Sequence, residues 1–197
     1  MPERPNGTVS KTVVGVCLPW VQIPPLPPFG LADAGSTYPV TVADAMVSDT
    51  DAMRVALQQA LRAESHGDVP VGAVVVHDGR VIAEACNERE VRHDPTAHAE
   101  VLVLRAAAER LGRWRLDDCT LYVTLEPCSM CAGAIVNSRV GTVVFGAADL
   151  KAGAMGSLYN LAADPRLNHE PVVRHGVMAA ESSGLLQRFF AEKRAET

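Results

Sequence analysis

Met53, Ala56, Leu57, Ala60 and Leu61 recur at the spacing of a helix with one apolar face, and Asp49 or Asp51 stands where its N-cap belongs. Two apolar runs follow, Val71 to Val76 and Val81 to Ala85, on either side of His77-Asp78-Gly79-Arg80. The Asp-Gly pair between them predicts a β-hairpin. Asp94-Pro95-Thr96 opens a second helix that continues to Leu111 and stops at Gly112. Thr120 to Leu125 reads as a strand, Cys128 to Ser138 as a helix and Thr142 to Phe145 as another strand. Pro165 and Pro171 punctuate a loop region. Ala179 to Lys193 forms a last helix carrying Leu185, Leu186, Phe189 and Phe190, with both phenylalanines expected in the core. The order αββαβαβ…α predicts the α/β class, a mixed sheet with helices packed on it.

Before residue 49 the pattern disappears. Eight of the thirteen prolines lie in the first 48 residues, and Val21-Gln22-Ile23-Pro24-Pro25-Leu26-Pro27-Pro28 can hold neither a helix nor a central strand. Val13 to Trp20 is a short apolar stretch without a small-residue cleavage site after it, so a secretory signal is not expected. Residues 1–48 therefore read as a disordered or loosely docked extension. Met46 and Met53 make a later translation start the other reading. Residues 49–197 form the folded domain.

Composition is that of a globular chain, 48% hydrophobic and 21% charged, and it has no apolar run of the roughly 18 residues a membrane span needs. Five cysteines are an odd count, and the Cys128-Ser129-Met130-Cys131 pair points to a metal site in a reducing, cytoplasmic compartment over a disulfide framework. The formal charge of −5 does not advertise nucleic-acid binding. Such a function would need a local basic patch.

Two segments carry chemistry, His98-Ala99-Glu100 and Pro127-Cys128-Ser129-Met130-Cys131. Both fall at predicted helix starts. Cys128 and Cys131, at i and i+3, bring two sulfurs to one side, where unpaired helix N–H groups favour thiolate. With His98 they make three ligands, the number of a catalytic zinc site that keeps a position for water. Glu100 is then placed to take that water's proton and pass it on. A closed structural site would need a fourth ligand, for which Cys86, Cys119 and His93 are the candidates.

His98-Ala99-Glu100 with Pro127-Cys128-Ser129-Met130-Cys131 resembles the signature of the zinc-dependent cytidine and deoxycytidylate deaminase superfamily. Asp68-Val69-Pro70-Val71-Gly72-Ala73, His93-Asp94-Pro95-Thr96-Ala97-His98-Ala99-Glu100, Leu121-Tyr122-Val123-Thr124-Leu125-Glu126-Pro127-Cys128, Val144-Phe145-Gly146-Ala147, Gly156-Ser157-Leu158 and Leu185-Leu186-Gln187-Arg188-Phe189-Phe190 are similar to the bacterial tRNA-specific adenosine deaminases. The resemblance spans residues 51–195. It implies a three-layer α-β-α cytidine-deaminase-like fold with a mixed central sheet of about five strands. It also implies hydrolytic conversion of the wobble adenosine of a tRNA, tRNA-Arg, to inosine.

Carried over, His98, Cys128 and Cys131 hold one zinc per subunit, Glu100 shuttles protons, and backbone N–H groups near Ala99 and Cys128 stabilise charge developing on oxygen. Asn87 would hydrogen-bond the flipped base. Asp149 matches a position beside the flanking nucleotide, with Ala148 where the family often has a basic residue and Lys151 following in a substrate-side loop. Lys193 and Arg194 are candidate RNA-backbone contacts. The family forms homodimers. Arg113, Arg115, Arg166, Arg174, Arg188, Lys193 and Arg194 would give steeply salt-dependent tRNA binding were they to gather on one face. Two other readings compete: a free nucleobase or nucleoside deaminase with the same chemistry, and a non-catalytic zinc-stabilised binding subunit.

Overall fold

The computed structural model describes residues 47–196. The Pro-rich extension lies outside the described residues except for Val47 and Ser48, which belong to the folded domain: the Val47 N–H donates to the Gly79 carbonyl (2.9 Å) and Ser48 caps the first helix. That helix, α1, runs Asp49–Ser65. Its cap is not Asp49 or Asp51 as the sequence suggests, because the Ser48 hydroxyl accepts from the Asp51 N–H and Asp49 is drawn away to Tyr122 and Arg174. The buried stripe is made of small residues, Ala52, Met53, Ala56, Ala60 and Ala63, and Leu61 faces out.

The hairpin forms as expected from β1 (Gly72–His77) and β2 (Arg80–Cys86). Asp78 and Gly79 both take positive φ, 48° and 70°, as a type I′ turn requires. Helix α2 (Ala99–Leu111) follows, then β3 (Cys119–Leu125), α3 (Ser129–Asn137) and β4 (Thr142–Ala147). A 3-10 turn (Leu161–Ala163) precedes β5 (Val172–His175) and α4 (Ala179–Ala195). Strand β5 goes beyond the strands that the apolar pattern reveals. It is a short, exposed edge strand after Pro171, held by parallel pairing to β4 and not by a buried face.

The sheet order is β2-β1-β3-β4-β5. The first three strands pair antiparallel and the last three parallel, so the sheet is mixed. Alternation along the strands separates two cores. Ala73, Val75, Leu121, Val123, Val143 and Phe145 pack with Val103 and Leu104 of α2 and Ile135 of α3. Val74, Val76, Tyr122 and Val144 pack with Met53 and Ala56 of α1. Helices on both faces make the three layers of the expected cytidine-deaminase-like fold. In α4, Leu185 and Phe189 are buried, but Phe190 is exposed and meets Phe189 edge to face, so only one of the two phenylalanines is core.

Candidate active site

The site lies at the carboxyl end of β3, in the parallel part of the sheet. Leu125 ends the strand, Glu126-Pro127 turns the chain, and Cys128 becomes the N-cap of α3. His98 is likewise the N-cap of α2. Neither side chain makes a capping hydrogen bond, so both are directed across at each other. Cys131, one turn into α3, is buried.

His98 Nδ1 stands 3.8 Å from Cys128 Sγ and 3.5 Å from Cys131 Sγ. A tetrahedral zinc with Zn–S of about 2.3 Å and Zn–N of about 2.0–2.1 Å separates N from S by about 3.6 Å. The three donors therefore already occupy corners of such a site. Among the described residues they are the group able to hold a metal ion. The candidates for a fourth ligand are elsewhere: Cys86 packs against His66 and Glu88, Cys119 lies at the opposite end of β3 beside Asp118, and His93 is not in the group.

The electrostatics suit a cation. The Cys131 thiol donates to Cys128, and His98 and a helix N–H add to this, bringing Cys128 down to about 3 against the push of burial. Cys131 is raised, because it keeps the shared proton and is buried. His98 is raised by the Cys128 thiolate.

Glu100 sits in the first turn of α2, 4% exposed, with its carboxyl against the Cys131 sulfur. Burial holds that carboxyl above the ordinary range. Ala99 is buried as the first residue of α2, where its N–H has no helical partner.

Asn87, buried just after β2, donates its amide nitrogen to the Val69 carbonyl (3.3 Å) and to Asp68 (3.5 Å). Both contacts are made by Nδ2. Asp149 is half-buried and its carboxylate is spent on a turn, accepting from the Lys151 N–H (2.9 Å) and the Ala152 N–H (3.2 Å). The Lys151 side chain is exposed.

Lys193 and Arg194 lie in the last turn of α4, Lys193 paired with Glu196 (3.1 Å). Arg113 pairs with Asp118, Arg115 with Asp117, Arg166 with Asp164 and Arg174 with Asp49. Most of the cations that were candidates for a basic patch are thus neutralised by neighbouring carboxylates.

Two buried carboxylates escape a reading based on motif chemistry. Asp68 accepts from the Glu90 N–H (2.7 Å) and the Val91 N–H (3.2 Å), fixing the loop after Asn87. Glu126 does the same for the loop after β4. Asp68 opens the motif over residues 68–73 and Glu126 lies in that over residues 121–128, yet only the fold reveals their partners.

The family model of the MafB19-like deaminases matches residues 47–193. The tRNA-specific adenosine deaminase of Bacillus subtilis is 51% identical over 149 residues, covering 76% of this chain and 92% of that protein. That of Haemophilus influenzae is 50% identical, covering 75% and 86%. A solved tRNA:A34 deaminase superimposes with a TM-score of 0.68 at 45% identity, over 70% of this chain and 99% of the other. The chain belongs to the MafB19-like deaminase family and, within it, to the tRNA-specific adenosine deaminases.

Proposed function

We propose that this chain hydrolyses the wobble adenosine of a tRNA, tRNA-Arg, to inosine, using one zinc per subunit held by His98, Cys128 and Cys131. The observation that carries the proposal is the three-cornered donor group, at 3.5 and 3.8 Å from His98 Nδ1, with buried Glu100 beside it. Bound there, zinc would make a water nucleophilic at neutral pH. Glu100 collects that water's proton and delivers it to N1 of the purine as the oxygen joins C6. It then moves the remaining hydroxyl proton to the amino group, so that ammonia leaves and C6=O and N1–H remain. A carboxyl held above its ordinary range by burial suits a group that must both accept and donate near neutrality.

Asn87 Oδ1 orients the flipped base, the N–H groups at Ala99 and Cys128 face the developing charge on oxygen, and Asp149 and Lys151 belong to the loop beside the flanking nucleotide. Lys193 and Arg194 reach the RNA backbone. Residues 49–197 are the catalytic unit and act in the cytoplasm as a homodimer, for which exposed Leu158 and Tyr159 on the site-side loop offer apolar surface. No helix among the described residues is long and apolar enough to cross a membrane.

The test is inosine formation on an anticodon stem-loop bearing a wobble adenosine, compared with free adenosine, cytosine and guanine, before and after zinc removal. Conversion of the stem-loop alone, abolished by chelation and restored by zinc, is expected. Conversion of free bases only would overturn the tRNA assignment, and turnover indifferent to chelation would overturn the metal's role.

A further inference from the structure

Glu126 has no place in the chemistry above, yet its side chain is buried and fully engaged. Oε1 accepts from the Met155 N–H (3.1 Å) and the Ser157 N–H (2.9 Å). Oε2 accepts from the Asp149 N–H (3.0 Å) and the Ser157 hydroxyl. Its two oxygens thus face four donors, all from the loop after β4.

The same loop also touches the metal-holding turn directly. Gly153 bridges Cys128 in antiparallel fashion, and the Ala154 N–H donates to the Pro127 carbonyl (2.8 Å). A Cβ at Gly153 would stand 2.4 Å from the Glu126 carboxylate and 2.5 Å from the Asp149 carbonyl, so no side chain fits there. Ala154 and Met155 anchor the loop in the core below.

We infer that Glu126 is a positioning residue for the deamination: its carboxylate clamps residues 149–157 onto the turn that carries Cys128, setting Asp149 and Lys151 at a fixed distance from the metal group. The inference rests on the proposed function for its substrate and on hydrogen bonds alone for the clamp. It places substrate-side loop and metal ligand on one carboxylate, two residues from Cys128. Loosening the clamp therefore weakens the hold on the RNA flanking the target while leaving His98, Cys128, Cys131 and Glu100 in place.

Ser157→Ala removes one donor without disturbing the core, and Glu126→Gln replaces an acceptor by an amide facing N–H groups. For Ser157→Ala, amide hydrogen exchange at Asp149, Met155 and Ser157 should quicken by about tenfold or more, the worth of one hydrogen bond to a charged group. Zinc content should stay at one per chain. KM for the anticodon stem-loop should rise about tenfold with kcat within about twofold, the signature of lost binding and not of lost chemistry. Ser157→Thr, which keeps the hydroxyl, should restore both exchange and KM. Glu126→Gln should exceed Ser157→Ala in both effects; should it fail to fold, the serine pair decides. Unchanged exchange overturns the clamp. A fall in kcat at constant KM overturns the positioning role, because a merely structural residue lowers the active fraction. Exchange is read without substrate, so a wild-type protein inactive on the stem-loop would refute the proposed function and the RNA-positioning role while the exchange result still decides the clamp.

Discussion

Glu100→Gln separates chemistry from scaffold most cleanly. The substitution keeps the shape of a side chain that is 4% exposed in the first turn of α2 and removes its ability to ionise. General acid–base catalysis by one positioned group is worth about 10²–10⁴-fold. In the proposed reaction Glu100 serves two proton transfers in one turnover, so the upper half of that range applies: a loss of about 10³–10⁴ in kcat, or about 4–5.5 kcal/mol. Zinc should remain, because the three ligands are untouched. Stability should move the other way. Burial raises the Glu100 carboxyl, so the folded chain binds that proton more tightly than the unfolded chain does. Its contribution is therefore fully present below the unfolded value of about 4.3 and is lost as pH rises through the higher folded value. At neutral pH the metal-free variant should melt above the metal-free wild type, with the gap closing as the solution is acidified. The assays are single-turnover inosine formation on the stem-loop, zinc content of the same preparation, and melting across pH. Turnover within about tenfold of wild type in a zinc-replete variant would refute the shuttle assignment, since even the low end of general acid–base catalysis exceeds that. Loss of zinc with activity would refute it too, by making Glu100 a support for the ligands.

The charged cluster at the far end of the sheet sets an acid limb. Against the push of burial, Arg113 and His77 hold Asp118 at about 2, so its ion pairs stabilise the fold above the ordinary carboxylate value and are lost as pH falls through about 2. The pair is half exposed and screened, so Asp118→Asn should cost under about 1 kcal/mol at neutral pH and nothing below pH of about 2 in thermal melts, and a cost that persists there would refute the ion-pair origin. Because Arg113, Arg115, Arg166 and Arg174 are already paired, leaving Lys193 and Arg194 as the proposed backbone contacts, stem-loop binding should respond mildly to salt. With about two phosphate contacts on single-stranded RNA, affinity falls about sevenfold between about 50 and 200 mM salt. A loss of about a thousandfold in the same titration would mean that these pairs open to grip RNA.

Much of the fold is legible because its cues are local. The Asp78-Gly79 turn, the left-handed Gly112 at the end of α2 and the uniform valines of β1 each announce an element without reference to the rest of the chain. Where the pattern failed, a distant partner decided. Strand β5 has no buried face to show, and exists because β4 offers it an edge. Asp49 looks like a cap, but the Tyr122 hydroxyl (2.7 Å) and Arg174 (2.6 Å) recruit it, and Ser48 takes over. Phe190 follows Phe189 on a helix that covers β4 with one face only, so adjacent residues cannot both be buried.

The same division runs through the site. The clustering of His98, Cys128 and Cys131 was legible because two chain segments each bring their donors to a helix N-cap, where spacing of i and i+3 already fixes which side the sulfurs share. What could not be read is which groups tie down the loops beside those caps. Asp68 and Glu126 do this by accepting backbone N–H groups 22 to 31 residues away, and an amide donor carries no residue identity for a sequence pattern to display. A buried carboxylate is costly unless such donors surround it, so its position beside a metal-ligand turn signals that a loop must close over it. The chemistry of this chain is written in side chains and its positioning in backbone amides. The second therefore becomes visible only when the chain is folded.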